Sequence, residues 1–80
     1  MPTLSIRYFA ILREQRGLAG EQLATSAATP RALYEELKEQ HGFTLPAESV
    51  RAAVDGEFVS HDLPLKDGQS VVFIPPVAGG

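Results

Sequence analysis

From Thr3 to Phe9 the side chains alternate, with Leu4, Ile6 and Tyr8 on one side and Ser5, Arg7 and Phe9 on the other. A period of two is the signature of a strand with one buried face. The pattern then changes. Ile11-Leu12-Arg13-Glu14-Gln15-Arg16 consists largely of helix formers and stops at Gly17, a residue suited to the position just past a helix end, so a short helix is predicted. Glu21 to Thr25 is predicted as a strand from its place between turn signals. Thr29-Pro30 opens a longer helix, with Thr29 as N-cap and Pro30 at the first helical position. Leu33, Tyr34 and Leu37 form its apolar face, Glu35, Glu36, Lys38 and Glu39 face water, and His41-Gly42 closes it.

Arg51-Ala52-Ala53-Val54, Asp55-Gly56 and Glu57-Phe58-Val59 read as a β-hairpin, because Asp-Gly suits a type I′ turn. Leu63-Pro64-Leu65 is an irregular link, Asp67-Gly68 is a second turn, and Ser70 to Ile74 is the last strand. Gly42 to Ser49 carries no clear element signal. The predicted class is α+β, a mixed four- to five-stranded sheet packed on one main helix plus a short helix.

Packing Leu4, Ile6 and Tyr8 beneath Leu33, Tyr34 and Leu37 leaves Phe9 on the far side of the sheet. Val54 and Val59 then face the core and Phe58 turns outward. In the last strand Val71 and Phe73 alternate with Val72 and Ile74, so both faces are apolar. One long helix can cover only one of them. Phe9, Phe58 and Ile74 are therefore the candidates for an exposed apolar patch that docks a partner.

Composition narrows the chemistry. Eighty residues allow one domain, and an apolar fraction of 44% is that of a folded chain. With no cysteine there is no disulfide, no thiolate nucleophile and no thiolate metal site. His41 and His61 stand apart, without metal-ligand spacing, so neither a metal nor a bound cofactor is expected. A net charge of −3 without a Lys/Arg cluster speaks against nucleic acid. No apolar run approaches the ~20 residues of a membrane span, and no secretory signal is visible. A cytoplasmic location is expected.

The run Phe73-Ile74-Pro75-Pro76-Val77-Ala78-Gly79-Gly80 is the most informative feature. Proline lacks an amide donor, so Pro75-Pro76 should end strand pairing and send the chain outward. Gly79 and Gly80 carry no Cβ, which lets the backbone enter a narrow channel in another protein. Residues 1–74 are predicted as the domain and 75–80 as a flexible C-terminal tail. Extended, Pro75 to Gly80 reach at most ~20 Å.

With Arg7-Tyr8-Phe9-Ala10, Leu12-Arg13-Glu14, Thr29, Ala52-Ala53-Val54, Val59-Ser60, Pro64-Leu65 and Asp67-Gly68, that run resembles the small subunit of molybdopterin synthase. These are ubiquitin-like sulfur carriers with a β-grasp fold. The resemblance implies that a ubiquitin-activating-type adenylyltransferase uses ATP to adenylate the Gly80 carboxylate. The glycyl adenylate then becomes a thiocarboxylate, a 1-thioglycine. The tail, Pro75, Pro76, Val77, Ala78, Gly79 and Gly80, would thread the large synthase subunit, within an expected heterotetramer, and give up its sulfur to build molybdopterin. Catalytic side chains would come from the partner, and Phe9, Phe58 and Ile74 map to the family's inter-subunit surface. Two alternatives stay open: a sulfur carrier for thiamine or cysteine biosynthesis, and a protein modifier whose Gly80 forms an isopeptide bond.

Overall fold

A computed structural model of the chain describes residues 1–76. At its centre β1 (Thr3–Tyr8) and β5 (Ser70–Ile74) run parallel, with Ile6 beside Val71 and Tyr8 beside Phe73. β2 (Gly20–Ala24) pairs antiparallel on the outer side of β1. β3 (Arg51–Val54) pairs antiparallel with β5, and β4 (Glu57–Val59) completes the hairpin. The sheet has five strands in the order β2-β1-β5-β3-β4. With α2 (Pro30–His41) packed on one face and α1 (Ala10–Arg16) at the end of β1, this is the β-grasp arrangement.

The local signals are realised as stereochemistry. The Thr29 hydroxyl accepts the Ala32 amide at 3.2 Å, satisfying one of the free donors of the first turn, and Gly42 ends α2 in the left-handed region at φ 71°. Asp55 and Gly56, at φ 51° and 89°, adopt the two positive values that a type I′ turn requires. The short helix begins one residue earlier than its composition suggests. Ala10 itself is left-handed, at φ 51°, so the chain turns from strand to helix within one residue. That conformation costs an L-residue roughly 1–2 kcal/mol.

Leu4, Ile6 and Tyr8 meet Leu33, Tyr34 and Leu37 in the core, with Leu12, Val54, Val71 and Phe73 buried among them. The segment without an element signal proves to be part of this core. Phe43 stacks on Tyr34 with ring centroids 5.7 Å apart and meets Tyr8 edge-on at 5.9 Å. The Tyr34 hydroxyl donates to the Leu45 carbonyl at 2.7 Å, and Ala47 opens a short 3-10 turn with its methyl buried. Burial pushes the Tyr34 phenol up to about 12. Among the described residues no helix is long and apolar enough to cross a membrane.

Candidate functional site

Among the described residues no helix lies on the sheet face away from α2. Register places Phe58, Ala53, Val72 and Arg7 in one row across β4, β3, β5 and β1. The next row sets Arg51 beside Ile74, and Phe9, one residue past the Tyr8–Phe73 pair, continues it on the other side. Phe58 is 59% exposed and Phe9 47%, whereas Ile74 and Val72 are half-buried. Phe9 and Ile74 are thus neighbours. Phe58 is separated from them by Arg51, whose guanidinium lies 4.1 Å above the Phe58 ring. The surface is an apolar strip interrupted by a cation, a feature that alternation along single strands does not reveal.

β5 is the middle strand of the five, so the chain leaves the sheet at the end of its central strand, at Ile74 beside Arg51. Pro75 is buried and Pro76 exposed. Val77, Ala78, Gly79 and Gly80, on which the chemistry is expected, lie outside the described residues.

Behind Phe9, three side chains hold the corner between β1 and α1. The Tyr8 hydroxyl donates to Glu21 Oε2 at 2.7 Å, and Arg16 grips both Glu21 oxygens, Nε to Oε2 at 2.8 Å and Nη2 to Oε1 at 2.7 Å. A bidentate guanidinium–carboxylate contact is directional as well as charged, so it fixes the end of α1 against β2. Burial, reinforced by the Glu21 carboxylate, holds the Tyr8 phenol far above its ordinary value. The hydrogen bonds from Arg16 hold the Glu21 carboxyl below its ordinary value, and Arg16 is raised in return. The network took three separate elements to assemble, and sequence patterning did not point to it.

The histidines do structural work. The His61 ring Nε2 lies 2.7 Å from the Val50 carbonyl, and His41 packs 6.0 Å from the Phe43 ring. Among the described residues no group of three or more His, Asp or Glu side chains is placed to hold a metal ion.

Residues 6–80 match the ThiS family. The chain belongs to that family. This ThiS-family chain is 35% identical over 80 residues to the molybdopterin synthase sulfur carrier subunit of Escherichia coli, a match covering 96% of this chain and 99% of that one. Its fold is similar to that of a putative molybdopterin converting factor subunit 1 from Pyrococcus furiosus, with a TM-score of 0.77 and 33% identity, over 96% of this chain and all of that one. It is also similar in fold to a chain in the protein–protein complex of subunits 1 and 2 of molybdopterin-converting factor from Helicobacter pylori. There the TM-score is 0.66 and the identity 22%, over 98% of this chain and 99% of that one.

Proposed function

We propose that this chain is a sulfur carrier that delivers sulfur from a Gly80 thiocarboxylate for molybdopterin synthesis, as the small subunit of molybdopterin synthase. The observation that carries this reading is the exit of the chain from the middle strand. The central strand ends at Ile74, between exposed Phe9 and Phe58, and the sequence continues from there as Pro-Pro-Val-Ala-Gly-Gly. Docking of that face would aim the segment into the partner. The similarity to the E. coli sulfur carrier subunit supports the same reading.

The chemistry follows from the residues. A carboxylate resists nucleophilic attack, and adenylation with ATP by a separate ubiquitin-activating-type enzyme supplies a leaving group. A sulfur nucleophile then displaces AMP from the glycyl adenylate, forming the C–S bond as the C–O bond to AMP breaks. With no cysteine in the chain, sulfur has no persulfide site here and rides on the terminal carbonyl. General acid–base catalysis and the exclusion of water fall to the large subunit, and the setting is the cytoplasm. Deleting Gly80 should leave thermal unfolding unchanged and abolish molybdopterin formation in a synthase reconstituted with the large subunit. Normal output from the truncated chain would refute the proposal.

A further inference from the structure

The uncovered face has an electrostatic character that its apolar residues hide. The charged strand positions on it are Arg7 of β1 and Arg51 of β3, and every other strand position there is neutral. Both are cationic in a chain of net charge −3. Among the described residues the ion pairs are Arg16–Glu21 and Arg31–Glu48, and neither arginine takes part in them.

Each arginine also has a defined neighbour. The Arg51 guanidinium sits over the Phe58 ring at 4.1 Å, and among the described residues no hydrogen bond or ion pair occupies its N–H groups. Arg7 pairs across the strands with Gly20, and its Cγ passes 3.7 Å from where a Cβ on Gly20 would stand. Arg7 is level with Val72 and Arg51 with Ile74, which puts them two strands apart and two residues out of step. From strand spacing and rise their backbones stand about 12 Å apart, with the two β5 side chains between.

We propose that Arg7 and Arg51 are specificity-determining contacts of this face. They select a partner protein whose docking surface is apolar and carries two carboxylates, one opposite each arginine. The proposal rests on the sulfur-carrier reading of the face. Val72 and Ile74 between the cations, and Phe58 beyond Arg51, require an apolar counterpart, which a phosphate backbone lacks. A second copy of this chain fits poorly, because two such faces would oppose arginine to arginine. Exposed cations on a docking face steer encounter and reject partners of the wrong charge more than they add to affinity.

The test is association kinetics with the immobilised large subunit of molybdopterin synthase, at about 0.05 and about 0.5 M salt, where screening differs strongly. Wild type, the Arg7→Gln/Arg51→Gln double variant and Phe58→Ala are compared, with circular dichroism to confirm folding. The double variant should associate roughly ten-fold more slowly at low salt, with the gap closing at high salt. Phe58→Ala should instead dissociate faster and keep the wild-type salt dependence. Wild-type kinetics for the double variant alongside a loss for Phe58→Ala would overturn the role of the arginines and leave the docking reading intact. No loss in either variant would overturn both. A dimer of the chain alone, seen by sedimentation and lost in the double variant, would overturn the choice of partner.

Discussion

Replacing Phe58 by alanine separates a docking residue from a core residue, because its ring is 59% exposed. Of the ~200 Å² that a phenylalanine offers, roughly 80 Å² is covered within the fold and roughly 120 Å² is open to a partner. At ~25 cal/mol per Å² the open part represents ~3 kcal/mol of binding. Alanine keeps the Cβ, so the loss on docking should be ~2–3 kcal/mol, a rise in Kd of roughly 30- to 150-fold. The covered part is an upper limit of ~2 kcal/mol for the fold, and the retained Cβ and backbone bring the expected loss nearer ~1 kcal/mol. For a domain of this size that lowers Tm by roughly 4–8 °C. The stacking of Arg51 on the ring, worth ~0.5–1 kcal/mol at an exposed site, is lost within the same measurement. Titration calorimetry with the large subunit and thermal unfolding of the free chain give the two numbers. A Tm drop well beyond this range with unchanged affinity would show that Phe58 supports the core, and the assignment of faces would be inverted.

Glu21 has its folded pKa depressed by Arg16, so its contribution is present above the unfolded carboxyl pKa and lost as pH falls through the folded value. Glu21→Gln should therefore lower Tm at neutral pH and flatten the acid side of the Tm–pH curve below about pH 4.3; an unchanged acid limb would mean the network is thermodynamically silent. Gly79→Val should leave Tm and docking unaltered, while a side chain at that position obstructs a channel shaped for bare backbone. Pyrophosphate exchange with the adenylyltransferase and single-turnover sulfur transfer with the large subunit would locate the block, and wild-type rates in both would make the glycine incidental.

Elements announced by local stereochemistry were legible in the chain. Thr29-Pro30 and Asp55-Gly56 name the conformations they adopt, and alternation in β1 assigned Leu4, Ile6 and Tyr8 to the buried side, whereas β5 read as apolar on both faces and the fold buries Val71 and Phe73. The same parity told which side chains would be left outside: Phe9 and Phe58 are exposed and Ile74 is half-buried. What stayed hidden depends on distant partners. Phe43 lies in a stretch without periodicity and is buried because Tyr8 and Tyr34 come to it. Arg51 reaches Phe58 along a diagonal that exists only once Ala53 pairs with Phe58. The Tyr8–Glu21–Arg16 network needs β1, α1 and β2 in place together. Ala10 occupies a left-handed position with no glycine to signal it.

The central claim is that Gly80 carries sulfur, and the most direct test is the intact mass of the chain purified from its native host. The account expects a population heavier by the difference between one sulfur and one oxygen atom. Fragmentation should place that increment on Gly80, and it should disappear when the adenylyltransferase is deleted. A chain that carries only an unmodified carboxylate while the host is making molybdopterin, or that is found joined to lysines through Gly80, would contradict it.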